Sequence, residues 1–408
     1  PSTTRPNLIR VMPAEEVMKK LFLILLACVL FAVACGDDDP VETGDASDSS
    51  SASESASASA SEPADDEMAE DDDMADDDVA DDDMADGDEM ADGGSVTLMT
   101  HDSFVVSEGV LEAFTAETGI TVELLQSGDA GAMVSEAILT KDSPLADVMF
   151  GIDNTFLQRG LDAELFEAYE SANIGGVFPE LRIDDQNRVT PIDFGDVCVN
   201  YWIDALPEGA EAPTTLEDLT DPVYAGELVV MSPESSSPGL AFLLATINGT
   251  DDWEQYWTDL VANGVSVTAG WSDAYYGEFT AGGGERSIVV SYASSPPAEV
   301  IFADPPVDTA PTGVLLDSCF RQIEFAGILA GTENRAAAEA LIDFMLTPTF
   351  QEDVPLNMFV FPAVEAAALP AEFVEYAEIA DDPQYIEPAD IEANRDAWVE
   401  RWIEIVLG

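Results

Sequence analysis

The tract from Gly36 to Gly94 contains no lysine, no arginine and no aromatic residue. It opens GDDDP, passes through a serine and alanine run at Ser49–Ser61, and continues as the near-repeats DDDMA, DDDVA, DDDMA and DGDEMA. Low hydrophobicity combined with like-sign charge cannot bury enough apolar surface to offset the entropy of ordering. Self-repulsion extends such a chain. Aspartate triplets attract hard cations, but the EF-hand spacing, with its glycine and distal glutamate, is absent. The tract therefore reads as a solvated spacer, and folding is confined to residues 95–408.

Upstream of the spacer, Met18-Lys19-Lys20 leads into an apolar run from Leu21 to Ala34, followed by Cys35-Gly36. A short basic segment, a short apolar core and a small-residue cleavage site make a secretory signal. The run is shorter than the roughly 20 residues a spanning helix needs. Ala32 and Ala34 before Cys35 resemble the bacterial lipobox, in which the cysteine takes a diacylglyceryl group. The expected organisation is an upstream extension at 1–17, a signal peptide at 18–34, and a lipidated Cys35 heading an acidic leash to residue 94. One acyl chain gives only marginal anchoring, so two are needed. The chain is expected to be exported and held on the outer face of the cell membrane.

Residues 95–408 are long enough for two lobes with sizeable cores. The formal charge of the chain is −70, and Lys141 is the only lysine after the signal segment. Such a surface repels phosphates, which excludes nucleic acid as a partner. It favours cationic ligands, although a strongly acidic surface is equally an adaptation to salt. Of four cysteines, Cys198 and Cys319 remain after processing. They are an even pair in an oxidising compartment and suggest a disulfide, with two buried free thiols as the alternative. His101 is the only histidine, so no zinc site is supported, and no cofactor motif is present.

Short apolar runs alternate with amphipathic stretches. Strands are predicted at Ser95–Met99, Thr121–Leu125 and Ala146–Gly151, with helices at Val110–Thr118 and Met133–Thr140 between them. This βαβαβ order argues for a mostly parallel sheet with crossover helices. Strands at Leu228–Met231 and Ser287–Tyr292 enclose helices at Gly239–Ile247 and Trp253–Asn263. Amphipathic helices follow at Arg335–Leu346 and Ile391–Leu407. In open α/β sheets, ligands bind beyond the carboxyl ends of strands. Polar and aromatic residues gather there, in THDSF after the first strand, GIDN after the third and SYASSP after a late one. The run Ser235-Ser236-Ser237-Pro238-Gly239 reads as a helix start whose hydroxyls and N–H groups suit an anionic or hydrogen-bonding group. It is equally a good cap with no ligand at all. The segment Gly270-Trp271-Ser272-Asp273-Ala274-Tyr275-Tyr276 is dense in aromatics.

In order, THDSF, ADVMFGIDNTFL, PIDFGDVCVNY, SSSPGLAFLL, AGWSDAYYGEF and VVSYASSPPAE resemble the thiamine-binding receptors of bacterial ABC importers. The resemblance covers nearly all of residues 95–408. It implies an α/β, two-lobed, type II periplasmic-binding-protein fold with an interlobe cleft. Lobe one would comprise 95–194 and 320–408, and lobe two 195–319. Phe194–Tyr201 and Leu315–Phe325 would be the crossovers, with Cys198 and Cys319 stapling the hinge. By the same resemblance, Asp102 and Ser103 line the cleft from lobe one, with Asp129 near the ligand, and His101 beside them is a further ligand-binding candidate. Ser236, Ser237 and Gly239 offer polar contacts, and Trp271 and Tyr292 supply aromatic walls. The family's tyrosine before Asp-Ser-Phe is replaced by His101, and its late tryptophan by Met358. A further cleft tyrosine is replaced near Ala298. Tyr275, Tyr276 or Phe359 would rebuild the aromatic cage.

The implied function is capture of thiamine or a thiamine phosphate by a monomeric receptor that delivers it to a membrane permease. Two alternatives remain at this stage. The same scaffold could bind a ferric ion, a polyamine or another solute. A thiaminase-like enzyme would need Cys198 or Cys319 as an activated nucleophile.

Overall fold

The computed structural model describes residues 94–408. The segment read as a signal, Cys35 and the acidic tract up to Gly93 lie outside the described residues. Among the described residues, no helix is long and apolar enough to cross a membrane.

Strand β1 (Ser95–Thr100) pairs in parallel with β2 (Thr121–Gln126) on one side and β3 (Val148–Asp153) on the other. Helices α1 (Val110–Thr118) and α2 (Ala130–Thr140) make the crossovers. Helix α3 (Leu157–Asp162) and the short β4 (Phe166–Glu167) follow. All six residues of β3 are buried, and its apolar run VMFGI is what a strand covered on both faces requires. At the far end, β6 (Leu228–Met231) is equally buried and pairs in parallel with β7 (Ser266–Thr268) and β8 (Ile288–Tyr292).

Two long strands join these ends. Strand β5 (Thr190–Trp202) and strand β9 (Thr312–Leu329) run antiparallel to each other along most of their length. One half of β9 pairs with β3, and one half of β5 pairs with β8. The strand order is β2-β1-β3-β9-β5-β8-β6-β7, with β10 (Phe361–Pro362) against β5 and β4 against β9. These are the two crossovers implied by the resemblance, each several residues longer than expected. Their register shifts between Val197 and Val199, where four β9 residues oppose Cys198. Ser318 repairs that gap, its hydroxyl accepting from Val199 N at 2.8 Å and donating to Leu315 O at 2.7 Å. Cys198 and Cys319 form a disulfide at this point.

Helix α4 (Ser237–Gly249) is buried from Ser237 through Thr246. A helix apolar on every side belongs in the core, and this one packs on β9, β5, β6 and β8. An added Cβ at Gly239 would lie 2.7 Å from Met231 O, so only glycine allows that approach. Helix α5 (Trp253–Ala262) packs outside it, and α6 (Pro296–Ile301), α7 (Arg335–Met345) and α8 (Pro388–Val406) complete the layers. Helix α8 touches both α3 and α5, so it spans the two ends of the sheet. There Trp402 meets Trp257 edge to face at 5.4 Å, and the Arg395 guanidinium sits over Phe156 at 4.8 Å.

Candidate functional site

A cavity of about 160 Å³ opens beyond the carboxyl ends of the parallel strands. Five segments build its wall. The loop after β1 brings His101, Asp102 and Ser103; the turn before α2 brings Asp129; the start of α4 brings Ser237. The loop after β7 brings Trp271, Ser272 and Tyr276, and residues Asn357–Val360 close the remaining side. Tyr292 at the end of β8 and Glu324 on β9 form the floor. Among the described residues, no lysine or arginine lines the cavity, whereas three carboxyl groups do.

Asp129 links both ends of the sheet. It caps α2, its Oδ1 accepting from Ala130 N at 2.7 Å. The same oxygen accepts from Ser237 N at 3.1 Å, and Oδ2 accepts from Trp271 N at 3.0 Å. Burial pushes this carboxyl up to about 6, against the lowering effect of those hydrogen bonds. Ser103 Oγ lies 3.1 Å from Ser272 Oγ and adds a second bridge across the cleft.

Trp271 is held on two sides. Its Nε1 donates to Ser291 Oγ at 3.0 Å, and its ring stacks on Tyr275 at 4.8 Å with planes 21° apart. Tyr275 is buried behind it and donates to Glu299 Oε1 at 2.7 Å. Tyr276, not Tyr275, reaches the cavity, standing edge-on to Trp271. These residues lie in a π-helical turn, Asp273–Glu278, a conformation frequent at functional sites. Phe359 has φ +54°, a left-handed conformation that costs a bulky residue roughly 1–2 kcal/mol. The next residue, Val360, and the preceding Met358 line the wall with it. Met358 is anchored by Val105 N, which donates to its Sδ at 3.3 Å.

His101 packs against Phe150 at 5.8 Å and over Gly151, where an added Cβ would lie 2.3 Å from the ring. Gly151 also has φ +102°, so glycine is required there twice over. Burial lowers the imidazole to about 4. At neutral pH the ring is uncharged, and its 3.7 Å approach to Glu324 Oε1 is not an ion pair.

Of the residues named from sequence, His101, Asp102, Ser103, Asp129, Ser237, Trp271, Tyr292 and Met358 come together on this cavity. Ser236, Gly239 and Tyr275 do not line it. Ser236 is buried as the cap of α4, its hydroxyl accepting from Gly239 N at 3.3 Å. The expected anion cradle at this helix start is corrected by its hydrogen bonds. Ser237 N is taken by Asp129, Gly239 N by Ser236, and Pro238 has no N–H to offer. The resident carboxylate of Asp129 already fills the anion's place. Glu324 was missed. Its signal is one acid inside the apolar run Ile323-Glu324-Phe325-Ala326-Gly327-Ile328-Leu329.

An α/β molecule with a ligand cleft between two ends of one sheet, crossed by two long strands, is a two-lobed binding protein. The chain matches the family of bacterial extracellular solute-binding proteins over residues 143–380, and it belongs to that family. It is 29% identical over 313 residues to the thiamine-binding periplasmic protein of Salmonella typhimurium, covering 75% of this chain and 92% of the relative. A solved periplasmic thiamin binding protein superposes with a TM-score of 0.68 at 26% identity, covering 76% of this chain and 96% of its own. A ferric binding protein from Campylobacter jejuni shares the fold, with a TM-score of 0.61 at 19% identity over 76% of this chain and 99% of its own. These relatives and neighbours are binding proteins.

Proposed function

We propose that this chain is the lipid-tethered receptor of an ABC importer and that its cleft takes thiamine in preference to thiamine phosphates. The carrying observation is the wall itself, in which aromatic faces and carboxyl groups converge with no lysine or arginine among the described residues. Thiamine combines a permanent thiazolium cation, a flat aminopyrimidine and a neutral hydroxyethyl tail. A cation over an aromatic face gains roughly 0.5–2 kcal/mol, and Trp271 offers such a face. Asp102, Asp129 and Glu324 add attraction that is strongest where water is excluded. A phosphate tail would meet these same carboxyl groups with no lysine or arginine to offset them. The names of the relatives at 28–29% identity support thiamine as the cation.

Taking 95–194 with 320–408 as one lobe and 195–319 as the other is consistent with the register shift and disulfide at Cys198 and Cys319. The Cys35 lipid and the acidic leash would keep the receptor near its permease at high effective concentration. The ferric reading is weaker, because no group of three metal-ligating side chains is arranged for an ion among the described residues. The enzyme reading loses its nucleophile, since both candidate thiols are joined in the disulfide.

The test is calorimetric titration of the chain with thiamine, thiamine monophosphate, thiamine pyrophosphate and spermidine. Thiamine is expected to bind at least about tenfold more tightly than the pyrophosphate, a difference of about 1.4 kcal/mol. Equal or tighter binding of the pyrophosphate would remove the charge argument, and binding of spermidine alone would transfer the cleft to a polyamine.

A further inference from the structure

Three carboxylic acids stand side by side across the centre of the sheet. In the strand register, Glu324 on β9 is the direct partner of Asp153 on β3 and of Asp193 on β5. Directly paired strand residues project to the same face, so these three acids share one, with relative exposures of 7%, 0% and 0% for Glu324, Asp153 and Asp193. Like charges so placed repel, and the three are satisfied very unequally.

Asp153 is fully occupied. It accepts from Thr155 N at 2.9 Å, Thr155 Oγ1 at 2.6 Å and Phe156 N at 3.2 Å. It also accepts from Gln322 Nε2 at 2.5 Å and from the Ser237 hydroxyl. Asp193 has no such shell: both its carboxyl oxygens are buried without a hydrogen-bond partner among the described residues, and Glu324 is its neighbour across the strand pair. A buried carboxylate without a donor is too costly to stay charged, and its register neighbour is a second buried acid, so the pair favours holding a proton. Glu324 is the member that reaches the cavity. Beside it His101, 93% buried, also lines the cavity, with an Nε2 that has no hydrogen-bond partner among the described residues. A buried polar atom without a partner is costly, and a donor group on a ligand would relieve that cost.

We propose that Glu324 and Asp193, with His101 at their side, form a proton-exchange subsite on the floor of the cleft. The pair holds one proton until a nitrogen cation or N–H donor group settles on it, and then releases that proton to water. This rests on the reading of the cleft as a site for an organic cation and adds where the charge is met and at what cost in protons. The groups facing Glu324 make retention of the proton favourable. They are Asp153 on β3, Asp193 on β5, Asp129 before α2, and the hydroxyl of Tyr292 on β8, with neutral His101 the remaining neighbour. Helix α4 contributes only the Ser237 hydroxyl, and β10 contributes no titratable group. The nearest base along β9, Arg321, is bound to Asp196 at 2.5 Å and 3.2 Å. Burial pushes Asp193 up to about 7 and Glu324 well above its usual range. A cation on the pair would lower both and expel the proton at neutral pH.

The experiment is thiamine titration of the full chain near pH 7 in two buffers of different ionisation enthalpy, which counts protons released per ligand bound. About one proton should be released by the wild type, and affinity should rise up to about tenfold per pH unit through the pair's titration. Glu324→Gln should abolish most of the release and flatten the pH profile. Asp193→Asn should do the same while leaving Glu324 in the wall, which guards against a folding defect in the first variant. Normal thiamine affinity with identical heats in both buffers would overturn the proposal. Proton release that survives both substitutions would also overturn it. Absence of thiamine binding altogether would instead defeat the ligand reading on which the proposal rests.

Discussion

Asp129 shows how one side chain can hold a cleft together. Its carboxylate satisfies three backbone donors contributed by α2, α4 and the Trp271 loop. Replacement by alanine removes a helix cap and strands Ser237 N and Trp271 N. Each unsatisfied buried donor costs about 1–3 kcal/mol. Asp129→Ala should therefore lower the urea midpoint markedly and weaken ligand binding, and an unchanged midpoint would deny the bridging role. Trp271→Ala removes the stacked wall and should reduce thiamine affinity by about tenfold or more, read by the same calorimetry. Retention of affinity within threefold would mean that the wall lies elsewhere. At this scale the sequence was only partly legible. The β1 loop was readable because it follows a strand, Trp271 because its segment is dense in aromatics, and Asp129 only through the family resemblance. Tyr275 and Tyr276 were not separable, because a π-helical turn advances side chains differently from an α-helix, and the phase appears only in the fold. Glu324 carried only the faint signal of one acid in an apolar run, which gains meaning when register sets it between Asp153 and Asp193.

At the scale of elements, the alternation of strand and helix was legible from periodicity. Helix boundaries moved by a few residues where caps lay outside the apolar run, as with Asp129 before α2. The serine-rich motif was correctly placed at a helix start, but its donors proved to be spent within the protein, which pattern alone does not reveal. The two crossovers are longer than the apolar runs that announced them, because their ends pair with different neighbours. The disulfide joins these strands across a sequence separation of 121 residues. Closing a loop of that size in the unfolded chain contributes about 2–4 kcal/mol in typical measurements. The double substitution Cys198→Ala with Cys319→Ala should lower the melting temperature by several degrees, read by calorimetry. A melting temperature equal to the wild type would show that the staple carries no stability.

For the whole molecule, the buried acids set a direction for stability against pH. Asp129 and Asp193 have folded values of about 6 and about 7, above the ordinary 3.8. The native state therefore binds more protons than the unfolded state between about pH 4 and pH 7, and stability falls as pH rises through that window. The net charge of −70 adds self-repulsion in the same direction. Urea unfolding of the unliganded chain should give a higher midpoint near pH 5 than near pH 8, and Asp193→Asn should reduce the difference. A midpoint that rises with pH would contradict the assignment of raised carboxyls. In a binding protein such acids are kept at a cost to the unliganded state, and a cation in the cleft offsets that cost.

The most direct test of the account remains the side-by-side titration of thiamine and thiamine pyrophosphate. Thiamine binding at least about tenfold more tightly is the predicted result, because among the described residues the cleft wall carries aromatic faces and carboxyl groups but no lysine or arginine. Pyrophosphate binding as tightly or more tightly, or neither ligand binding, would contradict it.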